Sequence, residues 1–570
     1  MDLSEGLLSS HQILEATLHD VLTDFAIPLP TLSDGPDITY IGAIPPSQET
    51  RSEKINLSLI GTIPSLANAV AAAQIFCARK GNRQNIEVDL RRGHNYIDPD
   101  IGMTPTLNGQ EITVDVVVGN PFLRNIFETR DGRYVVLSAV YVDLVYKWTA
   151  FLGCSMAESD VREKVKQWSA KDLEGAAEEA GLPMAICQTE SSWQAHPHGS
   201  HLAKLPWVPV EHYPTTLSGP SPSPYSFLPA HPSRPLSGLR VLCVTHAIAG
   251  PSTGRTLAEH GASVLQIMFT HGFEHAFVYT YANLGTASSR LNLHKLADRQ
   301  RLQTLVKDAH VWVDSYRPNA ISKFGFSDNE IRNLNPSIII CRVRVYGTTG
   351  PWRSKPGFDM QGSASSGLMC FMGEGQGDGR PRWPPGMVIN DYTTGYSAAL
   401  AIQSIILKRT RGEVDVRDGW LVSPSLCGTA MGILKYYKTS RFKSPADQEG
   451  VQALAPSTLE AHTTLGYLKT LAPLPKMSIT PMHYAFGVLS TMGSNPPIFP
   501  GYDDGYDVRK ALPMLKEEIL HELGDTAVQT LERLKALGER LREKRVITTE
   551  VTARNHDITL TRLPGILQRG

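Results

Sequence analysis

Apolar residues recur along the chain with two different periods, and the change from one to the other marks its elements. Arg240–Thr245 (RVLCVT) is a short run of strand-forming residues, followed by a turn with Ala249, Gly250 and Pro251. A helical spacing runs over Gly254–His260 and a second strand pattern over Ala262–Phe269. Strand, helix and strand in that order predict a parallel pair covered by a helix. Leu302–Lys307 predicts a helix, Val311–Asp314 a strand, Ile331–Leu334 a helix and Ser337–Val345 (SIIICRVRV) a buried strand. The alternation predicts an α/β fold built on a parallel sheet. Met387–Asn390 reads as one more β-like stretch, and the N-terminal MDLSEGLLSSHQILEATLHD as an amphipathic helix.

Two apolar helices share one sequence plan. Ser65–Leu90 (SLANAVAAAQIFCARKGNRQNIEVDL) and Tyr396–Val416 (YSAALAIQSIILKRTRGEVDV) each carry an Ala-rich helix with a Gln (Gln74, Gln403). In each, a basic end, a Gly (Gly81, Gly412) and a strand with a Val-Asp pair follow. The shared order points to an ancestral duplication. Between the copies, Tyr213–Ser237 is so rich in Pro and Ser that it reads as an exposed, semi-rigid linker.

Composition narrows the function classes. The chain has 570 residues, and 55 Lys+Arg against 56 Asp+Glu give 55 − 56 = −1. Near-zero charge argues against a general nucleic-acid or membrane-surface binder. No apolar run is seen to approach the roughly 18 residues of a spanning helix, so no membrane partner is expected. Seven scattered cysteines without a CxxC pair argue against a disulfide framework or a metal cluster and suit a reducing compartment. The expectation is a cytoplasmic protein, with mitochondrion and peroxisome left open.

Three familiar chemistries fail on their motifs. The turn with Gly250 and Gly254 is not G-x-G-x-x-G, and no acid ends the second strand to hold a ribose. Gly373–Gly379 (GEGQGDG) lacks the Gly-Lys-Ser/Thr ending of a phosphate loop and reads as a hairpin tip or lid. No G-x-S-x-G elbow occurs. The most informative segment is Tyr346–Gly395, glycine-rich with two acids, Asp359 and Asp391. Asp391 stands before the Ala-rich helix, where the helix end would keep a carboxylate ionised. An N-cap or Asx-turn aspartate is the commoner role there, and both readings stay open. No histidine lies between His310 and His462.

The back half resembles the family III CoA-transferases, also called the CaiB/BaiF family. Five stretches agree in order: LSGLRVLCVTHAIAGPSTGRTLAEHGASVLQI, SSRLNLHK, VWVDSYRPNAISKFGF, NPSIIICRVRVYGTTGPWRSKPGFD and INDYTTGYSAALAI. They cover Leu236–Val416, and Met514–Gly538 is similar to the family's C-terminal helices. The front half, with NPFLRNIFETRDGRYVVLSAV and GLPMAICQTESSWQAHPHGSHLAKLPWVPV, resembles the later portion of a second module. The resemblance implies a Rossmann-like parallel sheet with helices on both faces, partially duplicated. Residues 1–56 would form a helical extension, 57–212 a partial module without nucleophile and 213–237 the linker. Residues 238–440 would hold the CoA-binding domain with the catalytic Asp, and 441–570 would complete the second module.

In that family the nucleophile is the Asp of an Asp-x-x-x-Gly helix start, which falls on Asp391. The resemblance implies an enzyme moving coenzyme A, its co-substrate, from an acyl-CoA to a carboxylic acid through an aspartyl anhydride and an aspartyl-CoA thioester, with no metal. CoA contacts carried over from it are Ala247, Ile248, Ala249, Leu291, Asn292, Leu293, His294, Asp314, Ser315, Tyr316, Arg317, Lys323, Lys355, Pro356, Gly357 and Phe358. Departures are Phe269 for an adenine-side Arg, Ile248 for a turn Gln, and no tetraglycine loop in Ala453–Pro500. They point to a larger, more apolar acyl group than formyl or oxalyl. Racemase members pair the Asp with a His where this chain has Phe358, which disfavours racemisation. An inactive scaffold is the rival from another class. Aligning Gln74 with Gln403 sets Thr62 opposite Asp391, so the front module lacks the nucleophile. A homodimer, or a pseudo-dimer within one chain, is the expected assembly.

Overall fold

The computed structural model describes residues 8–30, 35–46, 54–97, 99–113, 119–269, 272–386, 388–442 and 445–502. The helices expected over Met514–Gly538 lie outside the described residues. Helix α1 (Ser10–Asp24) starts on a capping box: the Gln12 N–H donates to the Ser9 hydroxyl and the Ser9 N–H to the Gln12 side chain. Strands β1 (Asp37–Ile41) and β2 (Asn85–Asp89) pair in parallel around α2 (Leu57–Ala78). Helix α2 is, against the sequence reading, long and apolar enough by length and composition to cross a membrane; its most apolar stretch is wholly buried inside the protein. Its Ala and Gly positions let neighbouring backbones approach closely.

A small antiparallel sheet follows, β3 (Phe127–Glu128), β4 (Tyr134–Leu137) and β5 (Met184–Ile186). Helix α3 (Val142–Leu152) packs Val145 and Trp148 into the same core as Phe127 and Val135. The main sheet then assembles from β6 (Val210–Tyr213), β7 (Arg240–Val244), β8 (Ser263–Phe269), β9 (Ala287–Leu291), β10 (Val311–Asp314), β11 (Ile339–Arg342) and β12 (Gly419–Val422). Its order is β9-β8-β7-β10-β11-β12-β6. The first six strands run parallel, in register from Val264 through Val241 and Val311 to Ile339, and only β6 is antiparallel. The fold is α/β, as the alternation predicts. Strand order reverses between β7 and β10, and crevices at such a reversal are where open parallel sheets bind ligands.

Helix α4 (Ala249–Glu259) starts five residues before the predicted Gly254, because Pro251 lies in the first turn, where N–H groups lack intrahelical partners anyway. Strand β11 is shorter than Ser337–Val345: the Val343 N–H bonds the Asp314 carbonyl, and the Arg344 N–H turns to Pro424. Helices α5 (Asp359–Ser365) and α6 (Ile389–Arg411) complete the frame. Met360 and Ala364 of α5 pack on Val136 and Ala185 of the small sheet. Helix α6 lies on α2 through a buried polar pair: Gln403 Nε2 donates to Asn68 Oδ1 (2.7 Å), and Asn68 Nδ2 to the Tyr396 carbonyl (3.0 Å).

The Pro/Ser-rich stretch is not an exposed linker over its whole length. Its Leu228 and Leu236 are fully buried, and the buried Arg79 guanidinium donates to the carbonyls of Pro229, Pro235 and Ser237. An arginine with several carbonyl partners fastens proline-rich backbone that has few N–H groups of its own. The described residues up to Tyr502 therefore pack as one unit, with no break at 213–237.

Candidate active site

The turn after β7 is strained and held by a side chain that the sequence reading did not single out. Ala247 adopts φ +60°, in the left-handed region. The Glu274 carboxylate accepts from the Ala247 N–H (2.6 Å), the His275 N–H (3.1 Å) and the Tyr141 hydroxyl (3.2 Å). Burial pushes the Glu274 carboxyl up to about 7 against the pull of those three bonds. Tyr141 comes from the front half. Its hydroxyl also lies 3.4 Å from His246 Nδ1, and burial lowers that imidazole to about 4, so it is neutral near pH 7.

Helix α4 crosses α6 where Gly395 lies. A Cβ there would sit 2.6 Å from Ser252 Cβ and 3.1 Å from the Ala249 carbonyl, which explains the glycine of the Asp-x-x-x-Gly spacing. Asp391 is the third residue of α6, not the end of a strand. Nor is it the cap. Asp359 Oδ2 accepts from the Asn390 N–H (2.7 Å) and the Asp391 N–H (2.9 Å), while Asn390 Nδ2 donates to Ser363 Oγ (2.7 Å). The helix-end donors that were expected to hold Asp391 ionised are thus occupied by Asp359. Burial and the Asp359 charge push the Asp391 carboxyl well above the usual carboxylate range; the Ala249 N–H draws it down and Glu274 raises it again. Desolvation and the Asp359 charge thus oppose ionisation of Asp391, against the expectation that the helix end would favour it.

Asp391 opens onto a cleft of about 320 Å³ at the sheet's reversal point. Of the carried-over residues, Ala247, Ala249, Ser315, Tyr316, Arg317, Lys355, Pro356, Gly357 and Phe358 line it with Asp391. Ile248 is buried just before α4, and Asp314 lies beneath, paired with Arg342 and Arg344. Leu291, Asn292, Leu293, His294 and Lys323 do not line the cleft. Leu291 and Leu293 pack in the core behind the sheet, Asn292 Oδ1 accepts from the His294 N–H, and His294 and Lys323 both meet the Phe324 ring at 5.0 Å. Lys355 is buried, and its ammonium donates to Glu174 Oε1 (2.7 Å) over the Trp352 ring, so its charge is already matched.

The front half, read from the sequence as a module without the nucleophile, reaches the cleft. Its Tyr141, Asp143, Leu144 and Lys147 line the cleft. Phe358 packs near the Tyr141 ring (6.0 Å) and joins the small-sheet core. Tyr316 lies between His246 (4.6 Å) and Phe269 (4.9 Å), an aromatic wall in place of an arginine. All seven cysteines are unbridged, and no group of three His, Cys, Asp or Glu side chains placed for a metal occurs among the described residues.

Residues 236–464 match the family model of CoA-transferase family III. It is similar to the acetyl-coenzyme A transferase nodX of Hypoxylon pulicicidum, 30% identical over 308 residues, covering 50% of this chain and 51% of that one. It is also similar to the probable fatty acyl-CoA transferase Rv3272 of Mycobacterium tuberculosis, 29% identical over 198 residues, covering 32% and 50%. The crystal structure of Rv3272 in its orthorhombic form aligns with 36% of this chain and 57% of that one, at 31% identity and a TM-score of 0.32. The chain spans about half the length of these curated relatives.

Proposed function

We propose that this protein moves CoA from an acyl-CoA donor to a free carboxylic acid, with Asp391 as the covalent nucleophile. The observation that carries the reading is a buried carboxyl on the first turn of α6, open to a cleft inside the family-matched span. The residues suit the co-substrate: Arg317, Arg344 and Arg353 offer positive charge on the cleft wall for an anionic thioester, and the Ala249 N–H is placed beside Asp391.

The ionised Asp391 oxygen attacks the thioester carbonyl, the carbon–sulfur bond breaks, and CoA leaves as thiolate. The thiolate attacks the Asp391 carbonyl of the resulting anhydride and releases the donor acid as its carboxylate. The acceptor carboxylate then attacks the aspartyl-CoA thioester and expels the thiolate. Attack of the thiolate on the acceptor's acyl carbon releases the new acyl-CoA and restores the Asp391 carboxylate. The Ala249 N–H stabilises oxyanions at Asp391, and the closely packed crossing of α4 and α6 excludes water from the anhydride. Burial opposes ionisation of Asp391, and the positive charge of the cleft-wall arginines favours the carboxylate that attacks.

The test is hydroxylamine added during turnover with a panel of acyl-CoA donors. A hydroxamate on the peptide carrying Asp391 is expected; a label on the peptide carrying Asp359 would overturn the assignment. Asp359→Asn is no neutral control, since Asp359 caps α6.

A further inference from the structure

Acyl transfer through Asp391 forms oxyanions in two places. Attack of the thiolate or of the acceptor on the Asp391 carbon leaves the charge at Asp391, where the Ala249 N–H is set beside it. Attack on the donor thioester, or on the acceptor's acyl carbon, leaves the charge on the substrate. The first turn of α6 would be the ready source of donors for that second oxyanion. Its Asn390 and Asp391 N–H groups, however, are taken by Asp359 Oδ2 (2.7 and 2.9 Å). Ser315 Oγ is committed too, accepting from the His246 N–H and donating to the His246 carbonyl (3.0 Å each).

Tyr141, which the front half carries into the cleft, is different. Its ring is fixed. It stacks on His275 at 5.5 Å and 19°, and His275 Nε2 donates to the Val140 carbonyl (2.9 Å). Its hydroxyl is not fixed. It lies 3.3 and 3.2 Å from the two Glu274 oxygens and 3.4 Å from His246 Nδ1, beyond the roughly 2.7–2.8 Å usual for an O–H···O bond. Glu274 does not depend on it, because the Ala247 N–H (2.6 Å) and the His275 N–H (3.1 Å) already donate to that carboxylate. An O–H divided among long contacts gives up little when it turns to a stronger acceptor. Burial and the Glu274 charge hold this hydroxyl well above the usual phenol range, so it donates a hydrogen bond and keeps its proton.

We propose that the Tyr141 hydroxyl is the donor to the oxyanion that forms on the substrate's carbonyl carbon, so that the front half supplies a catalytic residue although it lacks the nucleophile. This rests on the transfer reading above and adds a residue to its mechanism. As Asp391 attacks, the carbonyl electron pair moves onto the substrate oxygen, and the Tyr141 O–H turns from Glu274 to that oxygen. As the carbonyl re-forms, the carbon–sulfur bond breaks and the thiolate leaves. The thiolate's later attack on the acceptor's acyl carbon runs through the same oxyanion, with the Asp391 carboxylate leaving. The charge on that oxygen is greatest at the tetrahedral stage, so the bond stabilises the transition state more than the bound substrate.

Tyr141→Phe tests this, since it removes the hydroxyl and keeps the ring on His275. The full chain is loaded with acetyl-CoA, butyryl-CoA or octanoyl-CoA without an acceptor, and the aspartyl-CoA formed is then cleaved by hydroxylamine, read as free thiol. Loading passes through the oxyanion on the donor, whereas cleavage passes only through the one at Asp391. Loading of Tyr141→Phe is expected to be slower by roughly 100-fold or more, the usual loss for one oxyanion donor, at nearly unchanged half-saturating donor concentration. Cleavage of the loaded variant should stay within about twofold of the wild type, because its donor is the Ala249 N–H. Loading at the wild-type rate, or equal slowing of both steps, would overturn the assignment of Tyr141. No loading of the wild type, or loading of Asp391→Asn, would instead overturn the transfer reading beneath it.

Discussion

Helices α2 and α6 lie against each other, one from each half of the chain, and what covers their first turns differs. Over α6 there is a cleft, and Asp391 faces it with its helix capped by a carboxylate from α5. Over α2 there is main chain. The turn Leu90–Tyr96 crosses it so closely that a Cβ on Gly93 would run into Thr62 Oγ1 and the Ser58 carbonyl, and one on Gly61 into the Gly93 carbonyl. Thr62, aligned with Asp391, is fully buried there. One helix start is filled and the other is left open, so stability and chemistry are divided between two related positions. Even the aligned glutamines differ: Gln403 bonds Asn68 across the interface, while Gln74 bonds the Pro28 carbonyl. The Val-Asp pairs keep more in common. Asp89 and Asp415 each accept the N–H and guanidinium of the arginine two residues on, although only Asp89 lies in a strand.

The largest effect expected from this contrast is chemical. Asp391→Asn keeps the shape of the cleft but cannot form an anhydride, so transfer should fall on the order of a thousandfold or more. The amide also relieves the burial of an acid. A carboxyl with a raised folded pKa costs stability as pH climbs from its unfolded value through the folded one. Asp391→Asn should therefore match the wild type in melting temperature near pH 4 and exceed it at pH 7. A variant that kept near-normal turnover, or lost stability at pH 7, would show that the open helix start is not the reacting one.

Next come the glycines that set the two crossings. Gly395→Ala drives a methyl group into Ser252 Cβ at the α4–α6 crossing, and overpacking of this kind costs about 1–3 kcal/mol. Because Ala249 and Asp391 sit at that crossing, transfer should drop with stability, by roughly 10 to 100-fold for a displaced reacting group. Gly61→Ala meets the Gly93 carbonyl and should cost stability of similar size, with turnover per folded molecule unchanged. Equal activity losses in the two variants would erase the division between the helices.

Much of the open helix start was legible in the sequence, and little of what surrounds it. Local pattern revealed the βαβ order, and the family resemblance supplied the Asp391-x-x-x-Gly395 spacing and the Phe358 substitution, because each is set by neighbours in the chain. Asp359 as cap, Glu274 under Ala247 and Tyr141 from the front half depend on contacts across 32, 27 and 250 residues, the last between Tyr141 and Asp391 as cleft neighbours (391 − 141). No periodicity reports such pairings. Glu274 stands in a stretch, His271–His275, with neither helical nor strand spacing, and an acid isolated among His and Phe was its only signal. The ionisation of Asp391 was misread for a physical reason: a helix end is visible in sequence, but burial and the competing Asp359 carboxylate are not.

Glu274 offers a gentler perturbation, in the pH profile. Its negative charge helps raise the Asp391 carboxyl, and it titrates itself at about 7. Transfer should fall on the acid side as Asp391 takes up its proton. Glu274→Gln removes the charge while keeping an acceptor for the Ala247 N–H, so the acid limb of kcat/KM should move to lower pH. The variant should also gain stability relative to the wild type as pH rises from 4.5 to about 7, because folding of the wild type must there return to Glu274 a proton that the unfolded chain has released. A limb that stayed in place would mean that Glu274 acts on Asp391 only through the Ala247 turn.

The smallest effect belongs to the filled helix start. Among the described residues Thr62 Oγ1 has no hydrogen-bond partner, and it lies under the Gly93 main chain. A buried hydroxyl without a partner costs about 1–3 kcal/mol of desolvation. Thr62→Val keeps the branched shape and removes the polar atom, so it should raise stability by about 1 kcal/mol, read as a higher denaturant midpoint at unchanged slope. Transfer should stay within twofold of the wild type, since Thr62 does not line the cleft. Thr62→Asp makes the contrast sharp from the other side: the carboxylate would have neither a cleft nor a cap acid's neighbouring donors, only the covering backbone. It should destabilise strongly and create no second reacting group. If Thr62→Asp instead folded and took up a hydroxamate label during turnover, the covered helix start would be a second site held closed, and the asymmetry between α2 and α6 would lie in access alone.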